Sequence, residues 1–196
     1  MQEASEDPLI LKIFFGDRLW KSIPKKLYFK GLREVPHTLS EEEYKKCFSE
    51  REEKLAKTSA LYMLSRRSLF VNELSSKLLK MGYGTKAIDA AVQYCEQIGA
   101  LAEDKKLMYL IQKAMERGKG ELHIRMHLKK YKIDEEKISK CFEELSFDPR
   151  IVIRKLLDKQ LKKYNLQETL QKRKVVLFLQ RRGFQLEDIF SVINAK

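Results

Sequence analysis

Residues 175–193 read VVLFLQRRGFQLEDIFSVI, and the same spacing of apolar residues is found at 124–142 (IRMHLKKYKIDEEKISKCF) and at 74–92 (LSSKLLKMGYGTKAIDAAV). The three stretches align without a gap. Leu74, Ile124 and Val175 share one column, Leu78, Leu128 and Leu179 a second, and Tyr83, Ile133 and Phe184 a third. Ile88, Ile138 and Ile189 follow, then Val92, Phe142 and Ile193. Self-similarity at a fixed period of this length marks a repeat architecture, in which each unit stacks on its neighbours to complete a core it cannot bury alone.

Within each copy the first two columns are four residues apart and the last two are again four apart, so each pair lines one face of a helix. A short break separates them, and each copy is therefore an angled helix pair. Gly82 and Gly183 stand in the break, where a helix closes on a left-handed residue that glycine adopts without steric cost. The second copy has Lys132 there, at a cost of roughly 1 kcal/mol, so a looser or differently shaped turn is expected. A further helix precedes each pair, over about Leu55 to Leu64, Asp104 to Glu116 and Asp148 to Tyr164. The last opens with Asp148-Pro149, a favourable N-cap and first-turn combination. The expected fold is mainly α: three tandem three-helix repeats, nine helices in all, forming an elongated curved array over residues 58–100, 101–147 and 148–196.

Residues 1–57 read differently. An apolar run from Leu9 to Phe15, a Gly16-Asp17 turn, Trp20, Pro24, the Lys25-Lys26-Leu27-Tyr28-Phe29 segment and Gly31 suggest two or three short strands. Ser40-Glu-Glu-Glu43 is a capping-box start for a helix that runs through Tyr44 and Phe48 into Glu50 to Lys57. The highly charged stretch Glu50 to Lys57 reads as the connection to the repeats.

Charge divides the chain at the same place. The net charge is +12 over 196 residues, with 43% hydrophobic and 35% charged side chains, the composition of an ordered globular chain. Residues 1–57 carry 12 basic and 11 acidic side chains, and residues 58–196 carry 28 and 17. A cationic excess concentrated in one region favours polyanionic partners. No stretch free of Lys, Arg, Asp and Glu approaches the roughly 20 apolar residues of a membrane span. The acidic start carries no export signal, so a cytoplasmic protein is expected.

Chemistry that would mark an enzyme is missing from the pattern. His123-Ile-Arg-Met-His127 sets two histidines one helical turn apart, a spacing able to chelate zinc. The hydrolytic version needs Glu directly after the first His, and Ile124, a core column, stands there. Gly82-Tyr-Gly84 and Gly118-Lys-Gly120 lack the preceding strand of a nucleotide fingerprint. Cys47, Cys95 and Cys141 form no C-x-x-C pair and read as reduced thiols. Glu143-Glu144 and Glu187-Asp188 read as exposed faces and first-turn charges. No catalytic residue, metal or cofactor is expected.

The basic residues are organised. Lys80, Lys130 and Arg181 occupy one column, two residues after the second apolar column and turned away from it. Arg125, Lys129 and Lys132 form a stripe in the second copy. Lys155, Lys159 and Lys162 form another in the third, with Arg154 beside it, and Lys172-Arg173-Lys174 with Arg181-Arg182 extends it. These are the candidate binding residues for a polyanion. Tyr83 and Phe184 could stack on bases, but they sit in a core column and are expected to be buried.

The segment Ala60-Leu-Tyr-Met-Leu-Ser-Arg-Arg67, with Glu73-Leu74, Lys77-Leu-Leu-Lys80, Gly82-Tyr83 and Ala87-Ile88, resembles the first module of the RecX regulators of bacterial RecA recombinase. Leu179-Gln-Arg-Arg-Gly-Phe184 followed by Ile189 is similar to that family's end. The resemblance runs from about Thr58 to the C-terminus, with Lys132 and the apolar Ser68-Leu-Phe-Val as departures. It implies a non-enzymatic monomer whose modules lie along the RecA nucleoprotein filament, mostly inhibit recombinase activity and touch single- or double-stranded DNA directly. Two other readings stand beside it: a stand-alone DNA-binding protein built from helix-turn-helix-like units, and an α-helical scaffold for other proteins.

Overall fold

The computed structural model describes residues 9–160, 164 and 166–195. They fall into two compact units, one ending at Glu103 and one beginning at Asp104. The described residues hold a two-stranded antiparallel sheet and ten α-helices, so the mainly α fold with a small N-terminal β element is the one observed.

In the first unit, β1 (Ile10–Phe15) turns at Gly16 and pairs with β2 (Arg18–Pro24), with a bulge between Ile13 and Phe14. An isolated hairpin is marginal in water. This one is held by Trp20, whose ring meets Phe48 edge-on at 5.1 Å, and by Phe15, which meets Tyr44 at 5.7 Å. Such aromatic pairs add about 0.5–1.5 kcal/mol beyond their buried area. The Lys25–Phe29 segment, expected to be strand, is helical: α1 (Lys25–Gly31) starts directly after Pro24 and buries Leu27 and Gly31, one helical turn apart.

Helix α2 runs unbroken from Glu41 to Arg66, so Glu50–Lys57 is helix interior, and the expected division at residues 57 and 58 falls inside it. The helix at Ser40 and the first helix of the first module are one. Its start is the capping box read from the sequence, with the Ser40 hydroxyl accepting from the Glu43 N–H and the Glu43 carboxylate accepting from the Ser40 N–H. Charge alternation hid a buried face: Phe48, Glu52 and Ala56 lie one turn apart along it, and Ser59 and Ala60 follow in the next turn. One core therefore joins Ile23, Leu27 and Leu32 of the lead-in to Leu74, Leu78 and Tyr83 of the first module.

Glu52 is 4% exposed and is matched by partners from two other elements. It binds the Lys21 ammonium at 2.5 Å and accepts the Gly84 N–H at 2.8 Å. That amide begins α4 (Thr85–Gln97), which has no side-chain cap of its own. Ser59 meets the Tyr83 hydroxyl at 2.8 Å and accepts from Lys30 at 2.6 Å. Changing Glu52 to Gln keeps the shape but removes the charge that Lys21 needs, and about 1–3 kcal/mol of first-unit stability is expected to go with it. Thermal unfolding should register a drop of several degrees; an unchanged midpoint would mean that solvent replaces the carboxylate at no cost.

After α3 (Val71–Lys80) and α4, the second unit continues with α5 (Glu103–Glu116), α6 (Glu121–Leu128), α7 (Glu135–Glu144), α8 (Pro149–Lys159), α9 (Thr169–Arg181) and α10 (Leu186–Ile193). Asp148 caps α8 by accepting the Arg150 N–H at 2.8 Å, with Pro149 in the first turn. This helix ends at Lys159 rather than near Tyr164. Leu161 and Lys162 lie outside the described residues. Counting α2 as the first helix of its module, α2 to α10 supply three helices to each copy. Of the five apolar columns, all positions are buried except the half-buried Ile133 and Val92. Burial of each such side chain is worth about 1.5–3 kcal/mol.

Candidate polyanion interface

The site is built from the turn that closes the second helix of each module. In the first, the Tyr83 N–H bonds the Leu78 carbonyl and the Gly82 N–H bonds the Leu79 carbonyl. In the third, Phe184 bonds Leu179 and Gly183 bonds Gln180 in the same way. This is the Schellman closure, with glycine in the left-handed position at φ +91 and +87. The second module closes differently, as the lysine at this place led one to expect. A 3₁₀ turn, Lys129–Tyr131, follows α6, and Lys132 itself takes the left-handed conformation at φ 52.

Lys80, Lys130 and Arg181 each stand two residues before that left-handed position, and each is exposed. The place has a structural use as well. It lies at the negative end of the helix, where a cation contributes about 0.3–1 kcal/mol. Lys130 also lies against the Tyr131 ring at 4.8 Å and reaches His127 Nε2 at 3.2 Å.

Other expected cations differ in their surroundings. Lys129, Lys132, Arg154, Lys155, Lys159, Arg173 and Lys174 are exposed. Lys155 and Lys159 line a cavity of about 500 Å³ that also touches Arg117 and Gln160. Arg125 is occupied within its own module: its guanidinium binds Glu121 at 2.7 Å, Glu135, and Ser139 at 3.2 Å, and lies over the Phe142 ring. Lys172 donates to Asn194 at 2.9 Å. Arg182 is a clamp, donating to the Arg117 and Gly118 carbonyls at 2.9 and 3.2 Å while lying over the Phe178 ring. Arg125 and Arg182 therefore depart from the expectation of open cationic surface, and their partners explain why.

The clamp belongs to a contact that sequence reasoning missed. The Arg182 and Gly183 carbonyls accept the Gly120 and Leu122 N–H groups at 2.8 and 3.2 Å. Helix α6 has no side-chain cap, and the turn of the third module supplies the acceptors for its first amides. The approach is so close that a Cβ on Gly120 would lie 2.3 Å from the Gly183 carbonyl oxygen. Tyr83 and Phe184 are buried, as expected.

Three-helix modules with cations repeated at their turns define a tandem-helical repeat protein. Sequence comparison narrows this class. The profile of the first three-helix domain of RecX matches residues 56–95, and that of the third matches residues 152–193. The regulatory protein RecX of Pelodictyon phaeoclathratiforme is 31% identical over 141 residues, covering 71% of this chain and 87% of that protein. RecX of Vibrio cholerae is 32% identical over 137 residues, covering 70% and 90%. A crystal structure of regulatory protein RecX superposes with a TM-score of 0.67 at 16% identity, covering 94% of each chain, which shows the shared fold. The chain belongs to the RecX family of regulatory proteins, whose members are regulators rather than enzymes.

Proposed function

We propose that this RecX-family chain binds the RecA–DNA filament as a monomer in the cytoplasm and restrains the recombinase, touching DNA directly through its cationic turns. The observation carrying this reading is the repetition of an exposed cation at the same place in every module, Lys80, Lys130 and Arg181. Repeated modules offer repeated contacts to a partner that is itself a repeating polymer. Lys129, Lys132, Lys155, Lys159, Arg173 and Lys174 add salt-sensitive attraction to phosphate. Within this reading the chain needs no ATP or metal of its own, and ATP turnover belongs to the partner.

Substoichiometric protein is expected to slow ATP-dependent strand exchange by RecA. Normal exchange at equimolar protein would overturn the proposal. A stand-alone DNA-binding role is the second reading, favoured by the angled pairs α3–α4, α6–α7 and α9–α10, which are similar in plan to helix-turn-helix units. It requires tight binding to DNA without RecA, weakening by about 0.9 log units per log unit of salt for each phosphate contacted.

A further inference from the structure

We infer that the second module carries a seat for a single phosphoryl dianion in the cleft between α5 and α6, built by Lys113, Arg117, Lys119, His123 and His127. The five line one cavity of about 160 Å³ over an apolar floor that includes Leu110 and Ile124. None of them belongs to the repeated cationic column, and the inference does not depend on the role proposed for that column.

Three observations define the ligand. The cavity has no carboxylate in its lining. The acidic side chains adjoining it in sequence are directed elsewhere, since Glu121 binds Arg125 and Glu116 lines the neighbouring cavity beside Gln112. The positive charge is therefore uncompensated at the cleft, and His123 registers it. Burial first, and then Lys119, His127 and Arg182, hold its imidazole below the ordinary histidine range. The volume is below the roughly 300 Å³ at which pockets for drug-sized ligands begin, so the cleft suits a small ligand, and its cationic lining makes that ligand an anion.

The imidazoles make the seat acid-responsive. The groups facing His123 are Lys113 from α5, Arg117 and Lys119 from the α5–α6 loop, His127 from α6 and Arg182 from the α9–α10 turn. All are cationic or become so. Lys130 Nζ approaches His127 Nε2 at 3.2 Å. A bound dianion reverses the balance by favouring imidazolium at His123, and each proton taken up with the anion makes its affinity rise as pH falls.

The test uses the full chain with inorganic sulfate, which stays dianionic across the histidine range, and with inorganic phosphate, each against chloride at equal ionic strength. NMR of the histidine ring protons is expected to show His123 titrating at higher pH with saturating sulfate. Sulfate affinity should rise several-fold from about pH 7.5 to about pH 6. Joint substitution of Lys113→Gln and His127→Gln should remove most of that response. A 5′-phosphorylated oligonucleotide that moves His123 where its 5′-hydroxyl counterpart does not would identify a strand end as the source. A response to inorganic anions alone would identify the free ion. Ring shifts no larger in sulfate than in chloride would overturn the inference in the parent protein, without recourse to a variant. A double variant that keeps the parent's response would overturn it too.

Discussion

Gly183→Ala is expected to destabilise the second unit by about 3 kcal/mol, the sum of two penalties acting at one atom. The backbone there has φ +87, a conformation that costs an L side chain about 1–2 kcal/mol. The added Cβ would also lie 2.3 Å from the His123 backbone nitrogen. Backbone cannot swing aside as a side chain would, so the α9–α10 turn must lift away from the start of α6. Lifting it strips the Gly120 and Leu122 amides of the carbonyls that cap them. At about 4–8 °C per kcal/mol for a domain of this size, the unfolding midpoint should fall by more than 10 °C. A fall of only about 5 °C would correspond to the conformational penalty alone, and would mean that the two modules are not in close backbone contact.

Joint substitution of Lys80, Lys130 and Arg181 by Glu is expected to produce the largest functional loss. Each is exposed, so the fold should survive, with at most about 1 kcal/mol lost at each helix end. If each residue meets one phosphate, the log–log slope of DNA affinity against salt should fall by about 3, and binding should weaken by two or more orders of magnitude. Inhibition of strand exchange should fall in parallel. Three single variants that each behave as the parent would make the column a device for helix ends alone.

The apolar columns were legible because a helix forces residues four apart onto one face, and an uninterrupted alignment of 19 residues leaves little room for another pattern. Local chemistry was legible for the same reason: Ser40 with Glu43, and Asp148 with Pro149, act within one turn. What stayed hidden depends on distant partners. Glu50 to Lys57 reads as a charged connection until Lys21 and Gly84, 31 and 32 residues away, are seen to converge on Glu52. Arg182 reads as open cationic surface until its carbonyl partners, 64 and 65 residues away, are in view. Arg125 loses its apparent freedom to Glu135. Helix ends were half legible. Gly82 and Gly183 announced their turns, whereas Ser146 takes φ 48 at the end of α7 without glycine's signal.

The proposed partner is the assembled filament rather than either of its components. This is tested most directly by titrating the fluorescently labelled full chain with RecA filaments preassembled on single-stranded DNA, with the naked strand and with RecA alone, at one salt concentration. Binding to the filament should be at least tenfold tighter (about 1.4 kcal/mol) than to either component, and the triple substitution should weaken it. Affinity for the filament no greater than for the naked strand would contradict filament recognition and leave DNA binding alone.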